Sequence, residues 1–295
     1  MVIRIGYRFR PPRPVGDEPS NEGRAAYNRP QPLLPREPDA MCQLLGMNAN
    51  TPTDVMFSFT GLATRADEHK DGFGIGFFED KGVRVFIDHA SARQSAIAEL
   101  VKTYPIHSDN VIAHIRKATQ GRVALENTHP FVRELWGRYW VFAHNGDLKN
   151  FNPRLHAAFR PVGDTDSERA FCWLMQELSK AHAGVPEVAE LNCTLAELVP
   201  ELHRHGTFNM LLSNGQALWA HASTHLHWLV RQHPFRAASL KDEDVRVDFA
   251  HATTPNDRVA VIATEPLTND EAWTAFQPGE LRVFVDGTPL ACRGG

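Results

Sequence analysis

Hydrophobic and polar positions divide this 295-residue chain into two regimes. Through residue 40 no period emerges. The segment holds eight of the twenty prolines, with arginines and small polar residues between them. Proline removes a backbone donor and fixes φ, so residues 1–40 are expected to form an extended, disordered extension rather than a ladder of any kind. From Met41 the pattern becomes regular. Met41–Met47 predicts a short strand, and Thr53 is placed to cap a helix carrying Val55, Met56, Phe59, Leu62 and Ala63 at helical spacing. Phe73–Phe78 and Val83–Asp88 predict strands around an Asp80-Lys81-Gly82 turn. Ala92–Tyr104 predicts an amphipathic helix with Ala96, Ile97, Leu100 and Val101 facing inward. Val111–Arg116 alternates as a strand that delivers Arg116 to its end, and Arg138–Ala143 predicts another, closed by His144-Asn145-Gly146.

Thr165-Asp166-Ser167-Glu168 has the pattern of a capping box. It opens a long helix with Ala170, Phe171, Leu174, Met175 and Leu178 on one face, and a second helix is expected over Leu195–His203. Strands return at Phe208–Leu212, Ala217–His221, His227–Arg231, Val245–Phe249, Val259–Ala263 and Leu281–Val285. This order predicts a layered α+β domain over residues 41–295, without internal repeats.

Composition narrows the function classes. With 42% hydrophobic and 22% charged residues the chain can bury a sizeable core. A net charge of -4 gives no global attraction to nucleic acid or anionic membrane. Four cysteines, Cys42, Cys172, Cys193 and Cys292, are scattered without a CxxC pair, which fits a reducing cytoplasm and neither a zinc knuckle nor a disulfide framework. No apolar run approaches the roughly 20 residues that span a bilayer. Fifteen histidines include His203/His205 and His225/His227 at i, i+2 spacing, yet no cysteine or carboxylate completes a metal ligand set, so scattered core and surface histidines are expected.

The chemistry centres on Met41-Cys42. A cysteine attacks as thiolate, so it needs a base or a positive charge nearby. Were Cys42 the first residue, its own α-amino group, with a pKa of about 7.7–8.0, would be that base. Taken alone, Cys42 reads more readily as a small buried residue at a strand start, and the rest of the chain must overturn that reading. Four further stretches have two readings each. The glycines of Asp71-Gly72-Phe73-Gly74-Ile75-Gly76 lie within a strand, unlike a dinucleotide fingerprint, and mark a close backbone approach. Arg116 can present its planar fork to a carboxylate with Thr119 adding a hydroxyl, or can be a surface arginine. Asn145-Gly146 is by default a hairpin turn, but also offers two donors to an oxyanion. Asp166, expected to be exposed at a helix N-terminus, complements the helix dipole or binds an ammonium group.

Met41-Cys42, His114-Ile115-Arg116, Glu126–Pro130, Ala143–Gly146 and Thr165–Glu168 together resemble, in order and spacing, the glutaminase domain of class II glutamine amidotransferases. The stand-alone YafJ-type members, which begin Met-Cys, are the more similar, and the likeness runs from Met41 to near the C-terminus. The resemblance implies an N-terminal nucleophile hydrolase with a four-layer αββα sandwich. It casts Cys42 as nucleophile, its freed α-amine as base, and Asn145 and the Gly146 N–H as oxyanion hole. Arg116 with Thr119 would hold the α-carboxylate, Asp166 the α-ammonium, and His129 would support the substrate site. It implies no cofactor and no metal. The implied ligand is glutamine or a γ-glutamyl compound, with a separate ammonia-accepting synthase or no acceptor, since no synthase domain follows. A dedicated γ-glutamyl peptide hydrolase and a non-catalytic glutamine sensor are the alternatives. Lys117 and Gln120 depart from the aromatic and histidine of synthase-linked relatives. Activity further requires residues 1–41 to be absent, whether as upstream sequence ahead of the true start or as a removable pro-segment; an arginine-rich binding arm is the other reading of that stretch.

Overall fold

The computed structural model describes residues 42–64, 71–91, 94–117, 122–156, 158–251 and 253–290. Strand β1 (Gln43–Asp54) lies at the centre of a seven-stranded sheet. It pairs antiparallel with β4 (His107–Ile115) on one side and β12 (Arg258–Ala263) on the other. Beyond β4 come β2 (Phe73–Glu79) and β3 (Gly82–Asp88); beyond β12 come β9 (His227–Gln232) and the short β13 (Thr274–Ala275). A six-stranded sheet follows the order β15 (Thr288–Pro289), β14 (Glu280–Val285), β8 (Leu218–Ala222), β7 (Gly206–Ser213), β6 (Arg138–Leu148) and β5 (Phe131–Leu135). A separate hairpin joins β10 (Ala237–Ser239) to β11 (Arg246–Asp248).

Strand side chains alternate between faces, so each central strand feeds two cores. In β1, Leu45 and Met47 join an outer core with α1 (Met56–Ala63) and α2 (Ala96–Thr103), while Leu44 points between the sheets. A Cβ on Gly46 would come within 2.9 Å of Leu218 across that gap, so glycine there lets the sheets close. In β6, Trp140 and Phe142 pack under α3 (Asp166–Ala181) and α4 (Val188–His203), while Val141 and Ala143 enter the inter-sheet core. Two helices, two sheets back to back and two helices make the expected αββα sandwich.

Several boundaries differ from expectation. Thr53 lies in β1, and the amide of Met56 at the start of α1 is met instead by Asp54 Oδ1 at 2.7 Å. Helix α2 begins at Ala96, where Ser95 accepts from the Ile97 and Ala98 amides. Helix α4 starts at Val188, earlier than expected, because Leu191 extends the buried stripe of Leu195, Val199 and Leu202. Strand β5 was not anticipated: Phe131 and Leu135 pack inward beneath α3, but the polar residues between them hide the alternation. Residues 1–40 lie outside the described residues.

Candidate active site

The antiparallel register of β1 and β4 pairs Gln43 with Ile115, which sets Cys42 opposite Arg116. Leu44, bonded through its N–H to Thr264 Oγ1 at 2.9 Å, fixes the strand start. The Cys42 thiol is held by backbone: Sγ donates to Lys117 O at 3.1 Å and accepts from Lys117 N at 3.0 Å. Burial pushes the thiol's pKa up, against the Lys117 amide and the charge of Arg116, which pull it down. The surroundings therefore do not generate a thiolate by themselves. Across the sandwich, the Asn145 side-chain amide donates to the carbonyl oxygen of Cys42, so an oxyanion can draw only on its second N–H.

Asn145 and Gly146 are not a turn. Strand β6 continues through them to Leu148, paired with β7 along its length. Gly146 has φ of 156°, and a Cβ there would lie 1.9 Å from Thr207 O. Arg116 is buried at the end of β4, where Nη1 donates to Arg122 O at 3.0 Å. Asp166 is the first residue of α3 and, contrary to expectation, is buried at 6% exposure: the end of β6 folds over it, and Leu148 N donates to its Oδ2 at 2.7 Å.

Cys42, Arg116, Lys117, His129, Gly146 and Asp166 line one cavity of about 30 Å³, together with His114, His144, Thr165 and Ser167. That is room for about one water. A larger space of about 510 Å³, lined by Phe151, Trp173, Glu197 and Glu201, contains none of these groups. Thr119 and Gln120 lie outside the described residues.

His144, which sequence reasoning did not assign, bridges Ser167 Oγ at 2.8 Å and Thr207 O at 3.1 Å. A carbonyl only accepts, so Nε2 carries the proton and Nδ1 accepts from Ser167. Burial holds its pKa below the ordinary histidine value, so the ring is neutral. His129 is buried with its ring 4.4 Å from that of His114 and 4.6 Å from Phe131. Burial pushes it well below 6.5, and neither of its nitrogens has a hydrogen bond among the described residues. The close approach marked by the β2 glycines is to this segment: a Cβ on Gly74 would sit 2.2 Å from His129 O. The only sequence signal for His144 was its place beside Asn-Gly.

The paired histidines have other partners. His203 packs against His221, His205 lies 3.7 Å from Glu201, and His227 Nδ1 donates to Thr264 O at 2.9 Å. Among the described residues no helix is long and apolar enough to cross a membrane.

A sequence profile of the class II glutamine amidotransferases matches residues 41–294. Over 251 residues, 84% of this chain and 98% of its relative, the chain is 53% identical to YafJ of Escherichia coli K12, a provisionally named glutamine amidotransferase. A crystal structure of a predicted glutamine amidotransferase from Pseudomonas aeruginosa superposes with TM-score 0.69 at 42% identity, covering 85% of this chain and 100% of that one. Glutamine phosphoribosylpyrophosphate amidotransferase of Bacillus subtilis, at 15% identity and TM-score 0.52 over 84% of this chain and 48% of its own, shares the fold.

Proposed function

The chain belongs to the class II glutamine amidotransferases, and on that premise we propose that it hydrolyses the side-chain amide of glutamine or a γ-glutamyl compound with Cys42 as an N-terminal nucleophile. The observation that carries this reading is the Cys42 thiol itself. It opens the central strand beside Arg116 and Asn145, its pKa is raised by burial, and its described hydrogen bonds go to backbone. Such a thiol needs a base delivered to it. The α-amine of a chain beginning at Cys42 is attached to the same residue and has a pKa of about 7.7–8.0.

In the cycle the α-amine takes the thiol proton as sulfur attacks the amide carbonyl. The C–S bond forms, and the oxyanion is met by the Asn145 side chain and the Gly146 N–H, each donor contributing about 2.7–4 kcal/mol. The ammonium then protonates the leaving nitrogen, the C–N bond breaks and ammonia departs. Water, deprotonated by the same amine, hydrolyses the γ-glutamyl thioester and regenerates the thiol. Arg116, with Thr119, clamps the α-carboxylate and Asp166 the α-ammonium, while His129 supports the wall between them as a neutral ring. A separate synthase, or solvent, takes the ammonia.

Protein beginning at Cys42, verified by mass spectrometry, is incubated with glutamine and a panel of γ-glutamyl amides, and ammonia, amine and glutamate are measured. Turnover is expected from this chain and abolished in Cys42→Ala. The 295-residue chain is expected to be inactive, because its Cys42 nitrogen is an amide. Absence of turnover on every compound overturns the proposal. Amine release from γ-glutamyl peptides in preference to ammonia from glutamine identifies a peptide hydrolase.

A further inference from the structure

Arg116 and Asp166 stand on different elements, and one side chain ties their supporting loops together. Asn127 is fully buried in a short helical turn, Leu125–Asn127. Its Nδ2 donates to Arg122 O at 3.1 Å and to Asp164 Oδ1 at 2.6 Å, and its Oδ1 accepts from Asp164 N at 3.0 Å. Both amide hydrogens are committed. The Arg122 carbonyl also accepts from Arg116 Nη1 at 3.0 Å, so one oxygen holds both the guanidinium and the clamp. On the other side Asp164 leads through Thr165 directly into Asp166. The approach is tight: a Cβ on Gly163 would lie 2.1 Å from Asn127 Oδ1.

We propose that Asn127 is a positioning residue that sets the separation of the Arg116 guanidinium and the Asp166 carboxylate. It thereby selects ligands carrying a free α-amino-acid end. This rests on the reading of those two residues given above. An α-carboxylate and an α-ammonium share one carbon, so their partners tolerate little displacement. An error of about 1 Å in such a clamp costs on the order of a hundredfold. Asn127 itself touches no reacting atom.

The test uses Asn127→Asp in the chain beginning at Cys42. This change keeps shape and the acceptor for Asp164 N, removes the donor to Arg122 O and sets two carboxylates together. KM for glutamine is expected to rise at least about tenfold while kcat stays within about threefold, because Cys42 and the oxyanion donors on β6 are untouched. Adding Asp164→Asn restores a donor between the loops and is expected to recover part of the loss. A KM within about twofold of the parent overturns the proposal, as does a fall in kcat at unchanged KM or a lowered melting temperature at unchanged KM. Calorimetric binding of L-glutamine to Cys42→Ala, with and without Asn127→Asp, separates this from failure of the reaction. Weakened binding in the double variant supports the clamp even where hydrolysis is not seen. Unchanged binding overturns the clamp alone, and no binding to either chain overturns the clamp together with the assignment of Arg116 and Asp166.

Discussion

One Asp166 oxygen accepts the Leu148 amide, and the same carboxyl faces the cavity with Cys42. Its structural and its electrostatic roles are separable by substitution. Asp166→Asn keeps an acceptor for Leu148 N and removes the charge, so KM for glutamine rises while unfolding by urea is little changed. Asp166→Ala also strands a buried donor and lowers stability by about 1–3 kcal/mol in the same measurement. The helix start at Thr165 was legible because the capping pattern is local. The burial of Asp166 was not, because the strand end that covers it belongs to another element. Arg116 was legible for the opposite reason: alternation along β4 fixes where the strand ends, and register then fixes what lies opposite.

At the scale of elements, Asn145-Gly146 shows a local turn preference overruled by pairing. Strand β7 runs alongside β6 as far as Leu148 opposite Gly206, and Gly146 is needed because Thr207 O comes so close. Gly146→Ala is expected to abolish turnover, with circular dichroism reporting whether the sheet survives. The capping box was half right. Thr165 accepts from Glu168 N at 3.2 Å, but the buried Glu168 carboxylate turns away from the cap to Val162 N at 3.0 Å, Gly163 N at 2.7 Å and the Arg133 guanidinium. Glu168 therefore fastens the loop ahead of Asp166. Removing it in Glu168→Ala takes the acceptor from the Val162 and Gly163 amides and the ion-pair partner from the partly exposed Arg133, and is expected to cost about 1–3 kcal/mol by urea unfolding. Thr165→Ala, which loses a cap alone, is expected to cost about 1 kcal/mol.

Over the whole molecule, a layered α+β domain was legible in the alternating and helical periods and the four-layer sandwich only through the family resemblance, but the sheet order was not. β1 pairs with β12, far along the chain, and no local pattern encodes that choice. The site forms where these distant strands meet, which is why its residues were recognisable only as a set of separated motifs. The same assembly buries histidines within the sandwich, and this makes the fold sensitive to acid. The pKa of His221 is lowered to about 4, chiefly by burial, with His203 and His144 adding to the lowering and a bond to Phe208 O opposing it. The folded value lies below the unfolded value of about 6.5, so below pH 6.5 the unfolded chain binds the extra proton. Stability from this group is complete above 6.5 and declines by up to about 1.4 kcal/mol per pH unit until the folded ring protonates near pH 4. The full span is about 3 kcal/mol. His221→Asn retains a donor for Phe208 O without a titrating ring. Relative to the parent, its unfolding free energy is expected to improve by that amount between pH 7 and pH 4. Paired urea titrations across the range measure the difference directly, and a difference independent of pH would mean that His221 titrates alike in the folded and unfolded chain.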